Sequence, residues 1–216
     1  MKNEIKLIEL YKWFADIRII TQDAYISYNN LKTVLDTENH KCYYFLREDF
    51  FIFYRHQQWF MLIIQLCKLF IDNRNHKRNI ISLCNILINC KYDDDILKLL
   101  ESQNNNRGHP NFKNRKVLII KAKEIKMLID KNLISINQIH ALRDKVYAHT
   151  DIEKDLKLPT LLEIENLLSV VSDAYNYTYG LFYGRQMNFT NGFINLTIID
   201  IIRIMDQGLP KTKIRK

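Results

Sequence analysis

Apolar residues recur at spacings of three and four along most of this chain and rarely alternate with polar ones. That period belongs to amphipathic helices, not to half-buried strands. From about Asn3 to Leu35, the residues Ile5, Ile8, Tyr11 or Lys12, Ala15, Ile19 and Ala24 fall near one face of a long helix. Trp13, Phe14, Tyr25 and Tyr28 add aromatic bulk along it. A second long helix is predicted from about Asn39 to Ile71. Phe50, Phe53, Tyr54, Trp59, Ile63, Leu66 and Phe70 make it apolar nearly all round, as the central member of a bundle would be.

A basic, Asn-rich loop over 72–79 separates this helix from a short one over 80–88, and the next begins near Asp93-Asp94-Asp95. Carboxylates suit a helix N-terminus, where the backbone dipole favours negative charge, so capping is preferred there over metal binding. Ser102 to Asn114 reads as a polar loop. Beyond it, Leu118, Ala122, Ile125 and Ile129 mark a helix with Lys121, Lys123, Lys126 and Lys131 on its remaining surface. After a short connection over 132–134, Ser135 is the expected N-cap of a helix whose stripe is Ile136, Ile139, Leu142 and Val146. That helix should fray around His149 to Asp151. Pro159 introduces another, with the stripe Leu161, Ile164, Leu168, Val171 and Tyr175, ended by Gly180 and Gly184. A last helix over about Asn191 to Asp206 precedes a basic tail. The expectation is an all-α bundle of two long N-terminal helices plus several shorter ones. It forms a single domain over 1–216, in which 191–216 is an extra helix and tail.

Composition narrows the classes. Only five glycines and three prolines punctuate 216 residues, which favours long helices over hairpins and Gly-rich loops. The net charge of +8 permits an acidic partner such as RNA without requiring one. Lys77, Arg78, Arg115, Lys116 and Lys145 are the candidate phosphate contacts. Cys42, Cys67, Cys84 and Cys90 form no C-x-x-C pair and have no His at zinc-ligand spacing. Reduced thiols in a cytoplasmic protein are expected, packed as small apolar residues. Charges throughout the first twenty residues leave no signal-peptide core. Arg55, His56 and Lys68 interrupt the most apolar window, so no membrane span is expected.

Phosphate-binding glycine loops, H-E-x-x-H zinc sites and nucleophile elbows do not occur, so no cofactor or metal is expected. His40, His56, His76, His109 and His140 show no mutual spacing and read as surface or packing residues. Arg143, Asp144 and His149 remain, in the stretch I-H-A-L-R-D-K-V-Y-A-H-T-D. At about 100° per residue, Arg143 falls on one edge of the apolar stripe and His149 on the other. The two lie roughly 9 Å apart along the axis at a rise of about 1.5 Å per residue. A histidine moves protons near neutrality, and an arginine binds phosphate as a fixed cation. Together they are the minimum for cutting RNA at its own 2′-hydroxyl. The bare spacing is also what a helix-end salt bridge and a half-buried imidazole would give.

The string R-D-K-V-Y-A-H-T-D, late in an all-α chain, resembles the signature of the HEPN superfamily, in its abortive-infection branch. Gln58-Trp59-Phe60 through Lys68-Leu69-Phe70-Ile71-Asp72 is similar to the same branch, and the likeness spans roughly residues 5 to 183. The resemblance implies a metal-independent endoribonuclease, often a toxin of antiphage or toxin–antitoxin systems. Such proteins act as homodimers whose two motifs share one cleft. Carried over, Arg143 binds or polarises the scissile phosphate, His149 transfers a proton, and Asp144 orients one of them or holds the interface geometry. Lys145, from the basic cluster, is the candidate substrate contact beside them in sequence. An antitoxin or a nucleotidyltransferase is the implied partner. Asp151 stands where one branch carries a tyrosine that its nucleotidyltransferase modifies, which puts that form of control in doubt. The alternatives are a non-catalytic module of the same fold that binds RNA or protein, and a helical scaffold.

Overall fold

The computed structural model describes residues 4–35, 48–70, 78–105, 115–144, 159–189 and 198–208. In chain order these form β1 (Glu4–Ile5), α1 (Leu7–Leu35), α2 (Asp49–Phe70), α3 (Ile80–Asn89), β2 (Lys91–Tyr92) and α4 (Asp94–Asn105). They continue as α5 (Arg115–Lys131), α6 (Leu133–Leu142), α7 (Leu161–Tyr183) and α8 (Ile198–Gly208). The architecture is the expected all-α bundle. Helices α1 and α2 form its most extensive packing pair, with α7 lying against α1 and α5, and α3 against α5.

The start of α1 is set by a contact that periodicity does not show. β1 pairs in parallel with β2, Glu4 opposite Lys91 and Ile5 opposite Tyr92. Next to this ladder, Asp93 accepts the Leu7 N–H at 3.0 Å through one oxygen and the Ile96 N–H at 2.9 Å through the other. One carboxylate thus serves the N-termini of two helices, and the capping role expected of the acidic run is what Asp93 performs. Asp93→Ala is expected to cost about 2–5 kcal/mol, the sum of a lost cap and a charge-assisted hydrogen bond. Urea unfolding at neutral pH measures it.

The buried face of α1 differs from the expected one. Leu10, Phe14, Ile17, Thr21, Ala24, Tyr28 and Leu31 are buried, whereas Ile8 is 61% and Ile19 50% exposed, and Tyr11 and Ala15 also face outward. Phe14 decides the face. Its ring lies within 6.0 Å of those of Tyr175, Tyr179, Phe182 and Tyr183 on α7. Thr21 joins the core because its hydroxyl donates to the Ile17 carbonyl at 2.7 Å, which removes the cost of burying it.

Helix α2 begins at Asp49, not Asn39, and is central only in its second half. Leu62, Ile63, Leu66, Cys67, Leu69 and Phe70 are buried, while Phe50 and Phe53 are 63% and 62% exposed. Val34, Phe51, Ile198 and Ile202 make a small second cluster that ties α8 to this end of α1 and α2. The last helix therefore starts at Ile198 within the described residues.

Other boundaries follow from local chemistry. Asn79 caps α3 through the Ser82 N–H at 2.7 Å. Helix α4 continues through Asn105, so Ser102 to Asn105 are helical and not loop. The α5 stripe of Leu118, Ala122, Ile125 and Ile129 is buried as expected. Thr160 and Glu163 form a reciprocal capping box at the start of α7. Gly184, with φ at 64°, ends α7 in the left-handed conformation that glycine adopts without strain. Gly180 lies inside the helix, where its carbonyl accepts the Gly184 N–H at 2.8 Å. Cys67 and Cys84 are buried free thiols, and Cys90 is a half-buried one. No described helix is long and apolar enough to cross a membrane.

Candidate functional site

Helix α6 carries the site. It starts at Leu133 behind Asn132, so Ser135 is inside the helix and does not cap it. Ile136, Ile139 and Leu142 are buried and hold the helix against its neighbours, chiefly α2. The Cys67 thiol of α2 donates to the Ile139 carbonyl at 3.7 Å. Burial pushes that thiol up to about 12, with the Arg143 guanidinium pulling down and Asp144 pushing up. It stays protonated at neutral pH and acts as packing, not as a nucleophile.

Past Leu142 the backbone continues through Arg143 and Asp144 as a π-type turn, with the Arg143 N–H shared between the carbonyls of His140 and Ile139. Such π-type turns recur at functional sites. Here the turn carries a side-chain cluster that adjacent positions on a regular helix, about 100° apart, do not normally make.

Asp144 is the bridge. Its Oδ1 accepts from Arg143 Nε at 2.7 Å and lies 2.6 Å from Nη2, so one oxygen sits in the side fork of the guanidinium. Its Oδ2 is 3.1 Å from His140 Nδ1. The ring closes with Arg143 Nη2 at 3.3 Å from His140 Nε2. A guanidinium can only donate. In this arrangement His140 Nε2 therefore accepts, the ring proton sits on Nδ1, and Nδ1–H donates to Asp144. The Arg143 side chain is 24% exposed, and those of His140 and Asp144 are 41% and 42% exposed. The cluster is thus anchored at its base and open at its rim.

Of the residues expected from the sequence, Arg143 and Asp144 come together here, while Lys145 and His149 lie outside the described residues. His140, which reads from the sequence as a surface or packing histidine, is 41% exposed and in addition contacts both Arg143 and Asp144. Its signal was an arginine and an acid three and four positions on, which share its helix face.

Two of the candidate phosphate contacts are otherwise engaged. Arg78 forms an ion pair with Asp16. Arg115 donates to the Cys90 carbonyl at 2.9 Å and lies 5.4 Å from the Tyr92 ring, bracing the β2 segment. Lys116 is exposed, and Lys77 falls outside the described residues. Among the described residues, no group of three His, Cys, Asp or Glu is placed to hold a metal ion.

Comparison with known proteins gives one family. The HEPN_AbiU2 model, described as AbiU2, matches residues 8–195, from the first turn of α1 to a point short of α8. No curated protein and no solved structure matches the chain.

Proposed function

The chain belongs to the AbiU2 family of abortive-infection HEPN domains, and from that premise we propose that it is a metal-independent endoribonuclease. On this reading it is the toxin of an antiphage or toxin–antitoxin system, and it acts as a homodimer with a composite cleft. The observation that carries it is the arginine–aspartate–histidine cluster at the end of α6, where the motif segment begins.

The chemistry uses the RNA as its own nucleophile. Arg143 binds the scissile phosphodiester and balances the charge that builds on its oxygens in the transition state. His149 takes the proton from the 2′-hydroxyl as that oxygen bonds to phosphorus. The bond from phosphorus to the 5′-oxygen breaks, and the departing oxygen takes a proton from water. A 2′,3′-cyclic phosphate and a 5′-hydroxyl result. Asp144 holds the guanidinium through Nε and Nη2, and the other Nη2 hydrogen meets His140 Nε2, which leaves Nη1 for substrate. Lys145 adds a phosphate contact beside it.

The test is purified full-length protein incubated with total RNA in EDTA. Cleavage with 2′,3′-cyclic phosphate ends is expected, and DNA or RNA methylated at the 2′-oxygen should resist. Intact RNA under these conditions, with measurable RNA binding, would leave the non-catalytic binding module as the function. Sedimentation at micromolar concentration should give a dimer. A strict monomer that still cuts would reject the composite cleft.

A further inference from the structure

We propose that His140 is a third member of the phosphate site, donating its Nε2–H to the phosphodiester that Arg143 binds. The inference rests on the reading of Arg143 as the phosphate-binding residue and adds a group that the Arg-x(5)-His spacing does not include.

The donor inventory around Arg143 leads to it. A guanidinium offers five N–H donors in a fixed fork. Asp144 Oδ1 occupies the side fork of Nε and Nη2. The second Nη2 hydrogen points toward the end fork shared with Nη1, the edge on which an oxyanion is gripped by two parallel bonds. His140 Nε2 sits at that edge, 3.3 Å from Nη2. A phosphodiester arriving at the end fork therefore meets the imidazole as well as the guanidinium.

Two outcomes are open to the imidazole. With its lone pair on Nε2, it competes with the phosphate for one arginine hydrogen. Protonated on both nitrogens, it turns a donor toward the same anion, so arginine and histidine grip it together. Asp144 Oδ2 faces Nδ1 at 3.1 Å, so Nε2 is the ring nitrogen turned toward the Arg143 edge. Among the described residues, the charged groups in contact with the ring are Arg143 and Asp144 from its own segment, and the Cys67 thiol of α2 interacts with both of them. Bringing one phosphate into this cluster supplies the negative charge that a second cation beside Arg143 requires. The ring is half-exposed and needs no rearrangement of the core to act.

The probe is a 2′-O-methyl RNA oligonucleotide, which binds without being cut, titrated into full-length protein. Long-range 15N–1H spectra of the His140 ring should move from the neutral form protonated at Nδ1 toward the doubly protonated form as the oligonucleotide saturates. His140→Phe should weaken binding about tenfold to a hundredfold, the loss for one charge-assisted hydrogen bond. His140→Gln keeps an N–H donor at the position of Nε2 and should restore most of it. Arg143→Ala serves as the reference. If Arg143→Ala weakens binding while His140→Phe does not, and the ring stays neutral when bound, this inference is overturned and the Arg143 reading stands. If neither variant changes affinity, the Arg143 reading itself fails and the inference falls with it. Should His140→Phe fail to fold, the wild-type ring spectra and His140→Gln still decide.

Discussion

Arg143→Ala and His149→Ala should each abolish RNA cleavage in protein that keeps its helical circular dichroism. Loss of a preorganised donor aimed at transition-state charge costs on the order of a hundredfold to a thousandfold. Loss of a general acid or base costs about a hundredfold to ten-thousandfold. The arginine variant also releases Asp144 from its side-fork bonds, leaving a carboxylate where the phosphate must approach, so its loss should lie at the upper end. Asp144→Asn is a milder change for Arg143, because the amide oxygen can still accept from Nε and Nη2. The amide nitrogen, however, would turn toward His140 Nδ1 and force the imidazole into its other tautomer. An intermediate loss is therefore expected. The measurement is single-turnover cleavage of a labelled RNA in EDTA. A folded His149→Ala protein cutting at the wild-type rate would refute the assignment of catalysis to this motif.

The largest effect on stability is expected at Phe14. Its side chain is buried at the centre of an aromatic group with Tyr175, Tyr179, Phe182 and Tyr183, where α1 meets α7. Phe14→Ala removes the ring and leaves a cavity that large, rigid neighbours cannot fill. The expected cost is about 3–5 kcal/mol, a sizeable share of the ~5–15 kcal/mol that holds a domain folded. Ile19→Ala, on the exposed side of the same helix, should stay within about 0.5 kcal/mol. Urea unfolding of the two variants checks the assignment of the buried face directly. Equal costs would mean that the face is wrong.

That face shows where hydrophobic patterning succeeds and where it fails. On α5, the buried row consists wholly of Leu, Ile and Ala, and a period of three and four identifies it without error. On α1, the buried row passes through Phe14, Thr21 and Tyr28, and a search for aliphatic side chains selects Ile8, Ala15 and Ile19 instead. Threonine can bond its hydroxyl to its own helix, and tyrosine can bury its ring, so both enter cores that a simple polarity scale denies them. The β1–β2 ladder is too short for any alternation to register. At the candidate site, the adjacency of Arg143 and Asp144 was legible. His140 was not, because the spacing between histidines carries no sign of the arginine and acid one helical turn ahead of it.

The clasp at Asp93 and β2 bears on the order in which the chain folds. Glu4 and Lys91 are far apart in sequence, and closing so long a loop directly carries an entropy cost that grows with its length. Once α1, α2 and α3 have packed, most of that loop is already fixed, and only a short arm remains to be docked. The ladder should therefore form after the main barrier, so that residues holding it have little influence on the folding rate. A substitution at Asp93 would then leave refolding nearly unchanged and act by accelerating unfolding. In that case the N-terminal arm would set how long the native protein lasts, while the aromatic contact between α1 and α7 would set whether it forms.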